Sequence, residues 1–235
     1  MNRTRIDYVV NPDGTPGFTW NPVVGCKHGC PYCYARRQAK RQKHRCFDCY
    51  VFKPHLHRER LSQPLTRRKP ATIFAVDMGD LFGAWVPNQW ISLVFDVIAK
   101  TPQHQYLLLT KNPGRYLELD FFPGNAWFGL TVTKNKELGK LRLARELLGM
   151  GAKTWVSIEP LLEDLDLPNN IGVNWVVIGA QTGSKNRVKP GSRWVQRIVD
   201  LSHRNKIPVF MKNNLLPYLE NLVKEFPQGL GPGKK

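Results

Sequence analysis

The residues with the clearest chemical potential are five cysteines, which all lie between Cys26 and Cys49. The first three form Cys26-Lys-His-Gly-Cys30-Pro-Tyr-Cys33, a C-x3-C-x2-C spacing on one short segment. Thiolates are soft ligands that suit iron–sulfur clusters, and three of them leave one iron of a four-iron cluster open. An odd number of clustered cysteines argues against a disulfide framework. The spacing therefore predicts a [4Fe-4S] cluster on Cys26, Cys30 and Cys33, with a structural zinc site as the alternative.

A second, shorter pair of cysteines follows in Cys46-Phe-Asp-Cys49, with His44, His55 and His57 nearby. Two cysteines with neighbouring histidines are candidate ligands of zinc or of a further cluster. A redox-active pair or two free thiols fits the same spacing. Cys46 and Cys49 are thus candidates for a second metal site, and the sequence leaves that choice open.

The first cysteine motif resembles that of the radical S-adenosylmethionine (SAM) superfamily, in which an aromatic residue, here Tyr32, precedes the third cysteine. More closely, the chain resembles a phage- and prokaryote-encoded radical-SAM-like family that occurs beside a three-Cys-motif partner protein. The resembling segments are Trp20-Asn-Pro-Val-Val-Gly-Cys26, Cys33-Tyr-Ala-Arg36, Met78-Gly-Asp-Leu-Phe82, Leu108-Leu-Thr-Lys111, Ser157-Ile-Glu-Pro-Leu161 and Val177-Ile-Gly179. The resemblance implies a [4Fe-4S] cluster that cleaves SAM to a 5′-deoxyadenosyl radical. It also makes a three-Cys-motif protein a candidate partner.

Seven short apolar runs alternate with amphipathic segments, which predicts an α/β fold with a parallel sheet. The runs are Phe18–Pro22, Thr72–Val76, Tyr106–Leu109, Ala126–Val132, Thr154–Ile158, Trp175–Ile178 and Pro208–Met211. Helices are predicted over Tyr34–Arg45, Asn88–Lys100, Lys136–Leu148 and Ser192–His203. The resemblance implies a partial (β/α)6-type TIM barrel, and the number of runs agrees with it.

In barrels of parallel strands, chemistry lies at the carboxyl ends of the strands. Lys111, Glu159 and Lys212 directly follow apolar runs and are therefore the candidate catalytic residues. Polar residues also follow strands in any protein, because loops are polar, so position alone does not decide their role.

The resemblance further implies which residues bind the cofactor. Met78, Gly79 and Asp80 stand where the superfamily has a Gly-Gly-Glu motif that binds the amino group of SAM, from which this sequence departs. The full set of candidate cofactor-binding residues is Tyr32, Met78, Gly79, Asp80, Thr131, Glu159 and Gly179.

The charge of the chain indicates an anionic partner. Lys and Arg total 35 against 18 Asp and Glu, a net charge of +17 in 235 residues. Between Tyr34 and Lys69 there are twelve basic and two acidic residues, with Tyr34, Phe47, Tyr50 and Phe52 interleaved. Cations bind phosphates and aromatic rings stack on unpaired bases, so this pattern makes nucleic acid a candidate partner. A solvated helix face with an insert that packs its aromatic rings into the core fits the same pattern, and the sequence leaves that choice open.

The overall organisation predicted is one domain over residues 1–235, with a basic Cys/His insert at about 34–69 and a frayed tail over Pro227–Lys235. No apolar run has the length of about 18 residues that a membrane span needs, and the polar start suggests a cytoplasmic protein. The function predicted is a radical SAM enzyme that modifies or repairs nucleic acid. The alternative is a non-catalytic nucleic-acid-binding protein in which zinc binds Cys26, Cys30, Cys33 and a later cysteine.

Overall fold

The fold is built on one large sheet, known here from a computed structural model that describes residues 1–183 and 187–233. The strands in chain order are β1 (Asn2–Arg3), β2 (Phe18–Trp20), β3 (Val23–Val24), β4 (His55–Leu56), β5 (Thr72–Ala75), β6 (Gln105–Thr110), β7 (Ala126–Thr131), β8 (Lys153–Ile158), β9 (Trp175–Ile178) and β10 (Val209–Met211). The order across the main sheet is β1-β2-β5-β6-β7-β8-β9-β10, while β3 and β4 form a separate antiparallel pair. Only β1 runs antiparallel to its neighbour in the main sheet, so β2 and β5 to β10 form seven consecutive parallel strands.

The seven parallel strands are the seven predicted apolar runs, with ends that agree to within two residues. They read as continuous apolar runs because both faces of the sheet are buried. One face carries large aromatic rings, among them Phe74, Trp127, Trp155, Trp175 and Phe210. The other face packs against the helices with both aliphatic and aromatic side chains, among them Trp20, Tyr106 and Phe128.

The sheet curls around the ring of Tyr8, which precedes the first parallel strand. The Tyr8 ring lies 6.3 Å from Phe74 on β5, 5.8 Å from Trp155 on β8 and 6.0 Å from Phe210 on β10. A flat sheet cannot bring strands so far apart in its order to one ring. The sheet is therefore a partial barrel whose aromatic interior closes on Tyr8.

The helices lie in the connections between strands. They are α1 (Tyr34–Ala39), α2 (Phe47–Tyr50), α3 (Asn88–Ala99), α4 (Lys140–Gly149) and α5 (Ser192–Arg204). The predictions for α3 and α5 are confirmed. Helix α4 begins four residues later than predicted, after a 3-10 turn, because Glu137 turns back to accept hydrogen bonds from Thr133 N and Oγ1.

The predicted basic helix over Tyr34–Arg45 is wrong beyond Ala39. The α-helix ends there, a 3-10 turn follows over Lys40–Gln42, and Cys46 starts α2. In a continuous helix, Arg41 would face Arg45 one turn away, and like charges at this spacing are destabilising.

The last described residues return to the core. Leu230 is buried against the aromatic interior, and Gly233 N donates to Pro12 O at 2.8 Å. The tail is thus packed as far as Gly233, where the sequence predicted fraying, and Lys234 and Lys235 lie outside the described residues. Within the described ranges, no helix has both the length and the apolar character that crossing a bilayer requires.

Candidate active site

The carboxyl ends of all seven parallel strands open into one cleft with a volume of about 1210 Å³. The cleft-lining residues at or just after the strand ends are Asn21, Asp77–Asp80, Thr110, Lys111, Thr131, Ser157, Glu159, Ala180–Thr182, Lys212 and Asn214. All three candidate catalytic residues line this cleft, as do six of the seven candidate cofactor-binding residues. The seventh, Gly179, lies directly beneath the Glu159 carboxyl group.

Cys26, Cys30 and Cys33 line the same cleft on the loop between β3 and α1. Cys33 is the N-cap of α1, and its Sγ accepts a hydrogen bond from Arg36 N at 3.3 Å. Cys26 Sγ accepts one from His28 N at 3.5 Å. Backbone amides that donate to sulfur stabilise negative charge there, as they do at sulfur ligands of iron–sulfur clusters.

The loop is anchored just before its first cysteine. Gly25 N donates to Met78 O at 3.0 Å, and Gly25 has a φ of 94°, which favours glycine. A Cβ at Gly25 would lie 2.3 Å from Lys53 O, so no other residue fits there. The hydrogen bond from Gly25 N to Met78 O holds Cys26 beside the segment that follows β5.

The donor set fits an iron–sulfur cluster. Burial raises the pKa of the Cys26 thiol to about 12, so a thiolate at this position needs a bound cation. Among the described residues, one group of donor atoms lies close enough together to bind a single metal ion: those of Cys46, Cys49, His55 and His57. The three cysteines of the loop do not form such a group. Three cysteines that share a loop but do not converge on one point suit a multi-iron cluster better than one zinc ion.

The segment after β5 is held in a strained backbone. Val76 has a φ of 61°, a conformation that β-branched residues rarely adopt. Asn21 then binds both sides of the turn, with Nδ2 donating to Asp77 Oδ1 at 2.6 Å and Oδ1 accepting from Met78 N at 2.9 Å. Burial raises the pKa of Asp77. The result presents Met78 and Gly79 to the cleft. The side chains of Met78, Cys26 and Cys33 pack against the buried cluster of Ala35, Ala39 and Phe52.

Asp80 is buried, and both oxygens of its carboxylate accept hydrogen bonds from protein groups. It accepts hydrogen bonds from Phe82 N at 3.0 Å, Thr110 Oγ1 at 2.7 Å and Lys111 N at 3.0 Å, and His28 Nε2 lies 2.7 Å from Oδ2. Asp80 therefore connects the cysteine loop, through His28, with the end of β6, through Thr110 and Lys111. Its contact with a cofactor, which the family resemblance implied, stays a prediction.

Lys111 and Tyr32 form a pair at the edge of the cluster loop. Lys111 Nζ donates to Tyr32 Oη at 3.1 Å and lies 5.4 Å from the centre of the ring. The lysine thus fixes the aromatic residue of the cysteine motif.

Glu159, just after β8, and Lys212, just after β10, form a second pair in the cleft. Lys212 Nζ donates to Glu159 Oε1 at 2.6 Å, and Asn214 Nδ2 lies 3.4 Å from the same oxygen. A Cβ at Gly179 would lie 2.9 Å from Glu159 Cδ. Glycine is therefore required at position 179 for Glu159 to take this position.

Sequence reasoning missed Tyr8, Ser157 and Asn214, which all line the cleft. Burial is the largest effect on the pKa of Tyr8, and the negative charge of Glu159 is the second. Both raise the pKa, well above its usual range, so the Tyr8 hydroxyl stays protonated. Nothing in the local sequence marks Tyr8, because its place depends on the curl of the whole sheet. Ser157 lies in the segment Ser157-Ile-Glu-Pro-Leu161, in which the resemblance implies a role for Glu159 alone.

Five arginines at the mouth of the cleft form what we call the basic rim: Arg3, Arg5, Arg41, Arg45 and Arg60. Only Arg60 has a carboxylate within 4.0 Å in the described part of the chain, at 3.7 Å from Glu59. The other four guanidinium groups face solvent without a neutralising partner among the described residues. The rim is thus a positively charged entrance to the cleft.

The interleaved aromatic residues do not form the stacking platform that the sequence suggested. Phe52 is buried beneath Arg36, Tyr50 lies under Lys40, and Tyr34 donates its hydroxyl hydrogen to Asp77 O. Phe47 is 72% exposed and Tyr34 is 41% exposed, so these two of the four rings keep surface that faces solvent. These rings stabilise the insert, since short helices need tertiary packing.

Comparison with known proteins places the chain in a family. A family model described as "Protein of unknown function (DUF5131)" matches residues 4–215. The chain belongs to this family. No curated protein sequence matches it significantly.

Two solved structures of spore photoproduct lyase share its fold. The lyase complexed with dinucleoside spore photoproduct has a TM-score of 0.51 and 15% identity, over 80% of this chain and 60% of the lyase. A double mutant of the lyase, with bound AdoMet and dinucleoside spore photoproduct, has a TM-score of 0.51 and 15% identity, over 86% of this chain and 64% of the mutant lyase. The chain therefore spans less than two thirds of these lyase structures. The likeness confirms the predicted α/β fold with a partial barrel of parallel strands.

Proposed function

We propose that this protein is an iron–sulfur radical SAM enzyme that modifies or repairs nucleic acid. The observation that carries the proposal is that the C-x3-C-x2-C loop faces the same cleft as the carboxyl ends of seven parallel strands. The fold gives support, because the lyase structure that covers 86% of this chain holds AdoMet. When bound, a cluster on Cys26, Cys30 and Cys33 would supply the electron that cleaves SAM and yields a 5′-deoxyadenosyl radical.

The surrounding residues have roles of binding and positioning in this proposal. The turn held by Asn21 presents Met78 and Gly79 to the amino group of SAM. Thr131 and Glu159 offer polar oxygens to the ribose and methionine parts, and Gly179 leaves room for them. The cleft volume of about 1210 Å³ exceeds the range of about 300–1,000 Å³ usual for small-ligand sites, which leaves space for part of a substrate.

Lys111 and Lys212 are proposed as positioning groups. Each Nζ is already held by a neighbour, Lys111 by Tyr32 and Lys212 by Glu159. Fixed ammonium groups at the wall of a cleft attract anions without a reorganisation cost. Lys111, whose neighbour is a neutral hydroxyl, is therefore proposed to hold an anionic group of SAM or of the substrate, and Lys212 is proposed to position the Glu159 carboxylate.

A nucleic-acid substrate is supported by the basic rim. Unpaired arginines bind phosphate, and the matched lyase structure holds a dinucleoside photoproduct in the same fold. The zinc-dependent, non-catalytic alternative is not favoured, because it needs Cys46 or Cys49 as a fourth ligand, and these two converge with His55 and His57 instead. The three-Cys-motif partner, the phage association and the cytoplasmic location stay predictions.

Iron and sulfide analysis of anaerobically reconstituted protein tests the cluster. The wild type should hold about four irons and four sulfides per chain, as a four-iron cluster requires. Cys30→Ser should lose them, whereas the control variant His44→Ala, at an exposed position of the same insert, should keep them. Iron lost equally from both variants, or absent from the wild type, would contradict the assignment.

Salt-dependent binding tests the basic rim. Each phosphate contact contributes about 0.7 to the slope of log K against log salt for single strands, so Arg41→Ala with Arg45→Ala should reduce the slope by about 1.4. Lys100→Ala with Arg142→Ala removes the same charge from exposed helix positions outside the cleft and should leave the slope unchanged. Fluorescence anisotropy with labelled DNA and RNA strands of the same sequence measures both. Equal slopes for the two double variants would refute a role of the rim.

A further inference from the structure

A second set of metal-ligating side chains lies in the basic insert. The donor atoms of Cys46, Cys49, His55 and His57 all lie within 4.8 Å of one another. We propose that these four residues bind one Zn²⁺ ion, separately from the cluster loop. The ion would connect α2, which carries Cys49, to β4, which carries His55.

The distances agree with tetrahedral zinc. Zn–S bonds of about 2.3 Å and Zn–N bonds of about 2.0–2.1 Å place sulfur and nitrogen ligands about 3.5 Å apart in a tetrahedron. The three S···N distances that the structure gives are 3.5 Å from Cys46 to His55, 3.4 Å from Cys49 to His55 and 3.2 Å from Cys49 to His57. The two Nε2 atoms are 2.8 Å apart, against about 3.3 Å in that tetrahedron. A small outward movement of one ring accommodates the ion.

The outer hydrogen bonds fix which ring nitrogens are free. His55 Nδ1 lies 2.8 Å from Lys53 O, and a carbonyl oxygen only accepts, so this nitrogen carries the proton. His57 Nδ1 lies 2.7 Å from Glu59 Oε1, and a carboxylate likewise accepts. In the neutral histidines, both Nε2 lone pairs therefore point at the same place, which is repulsive without a cation. Histidines that ligate metals are held in this way by a carbonyl or carboxylate on the other nitrogen.

The cysteines are arranged as a metal-binding turn. Cys46 is the N-cap of α2, and its Sγ accepts a hydrogen bond from Cys49 N at 3.2 Å. Two thiolates balance the charge of Zn²⁺, and four protein ligands close its coordination, as in structural zinc sites. A redox-active pair gives no reason for two histidines to converge on it. His44, the third nearby histidine, is exposed and outside the group.

The proposed ion would support the cluster loop through β4. His55 pairs with Val24 in the β3–β4 sheet, and Val24 precedes Gly25 and Cys26. Removal of the metal should therefore loosen the insert and its junction with the cysteine loop. This last consequence rests on the proposed function, whereas zinc binding itself does not.

Metal analysis by mass spectrometry tests the site. Wild-type protein purified without chelators should contain about one zinc per chain, as one closed site requires. Cys49→Ser and His57→Ala should lose it, while Cys30→Ser and His44→Ala should retain it. Cobalt added to metal-free protein should give the intense visible bands of tetrahedral thiolate coordination, and zinc should abolish them.

Glu59→Gln provides a variant that keeps the ligands and the fold, because the Glu59 side chain is 68% exposed. Loss of its carboxylate should weaken zinc binding about 10-fold in chelator competition, the lower end of what such outer partners contribute. The proposal is overturned by wild-type protein without zinc, by a full equivalent of zinc in Cys49→Ser and His57→Ala, or by iron in place of zinc in Cys30→Ser. Zinc without cluster iron would refute the proposed function alone, and iron without zinc would refute this site alone.

Discussion

The pairing of Glu159 with Lys212 allows a quantitative prediction about the cleft wall. Lys212 Nζ lies 2.6 Å from Glu159 Oε1, and the side chains are 17% and 23% exposed. At this distance two unit charges attract by about 1.6 kcal/mol in water and about 6 kcal/mol at an effective dielectric constant of 20, before desolvation is subtracted. Exposed pairs contribute below about 1 kcal/mol, and breaking fully buried pairs costs about 3–5 kcal/mol. We expect a coupling of about 2 kcal/mol for this partly buried pair.

A double-mutant cycle with Glu159→Gln and Lys212→Met measures this coupling in urea unfolding. The matched control is Asp164 with Arg197, which have the same 2.6 Å separation but side chains 39% and 55% exposed. The cycle of Asp164→Asn and Arg197→Met should give below about 1 kcal/mol. Equal coupling energies for the two pairs, or less than about 0.5 kcal/mol at the cleft, would refute the argument that burial strengthens the cleft pair.

Three further predictions concern the framework around the cleft. Gly129→Ala should lower the free energy of unfolding by about 1–3 kcal/mol in urea titrations, because its Cβ would lie 2.3 Å from Trp155 Cε2, and unchanged stability would contradict this packing. Burial acts to raise the pKa of Glu137, but hydrogen bonds from Thr133 and Lys140 outweigh it and lower the pKa from 4.5 to about 2. The contribution of the Glu137 carboxylate to the free energy of unfolding should be present above pH 4.5 and lost as the pH falls towards 2. Glu137→Gln should therefore cost about 1–2 kcal/mol at pH 7, and on acidification this variant should lose less stability than the wild type. Asp80→Ala leaves its protein donors without an acceptor and should cost at least about 3 kcal/mol in thermal or urea unfolding, whereas a cost below about 1 kcal/mol would show that Asp80 does not hold the cleft together.

Sequence periodicity located the strands well because parallel strands buried on both faces are continuous apolar runs. It failed for Tyr34–Arg45, where the α-helix ends at Ala39 and a 3-10 turn follows over Lys40–Gln42. The positions of Lys111, Glu159 and Lys212 after apolar runs correctly predicted that these residues line one cleft, because the topology places the carboxyl ends of all parallel strands at one edge of the sheet.

Other features depend on tertiary structure and leave no local signal. Tyr8 reaches the cleft because the sheet curls around it, and Val76 adopts its positive φ only in the folded turn. The spacing of Cys46 and Cys49 allowed three histidines as neighbours, and the β3–β4 pairing selects His55 and His57. Such choices need the fold before they can be made.

The proposed function requires that the cysteine loop and the cleft together cleave SAM. The most direct measurement is chromatography for 5′-deoxyadenosine after anaerobic incubation of the reconstituted protein with dithionite and SAM. Wild-type protein is expected to form 5′-deoxyadenosine, and Cys30→Ala is expected to form none. Wild-type protein with a full complement of iron but no 5′-deoxyadenosine, or equal amounts from Cys30→Ala, would contradict it.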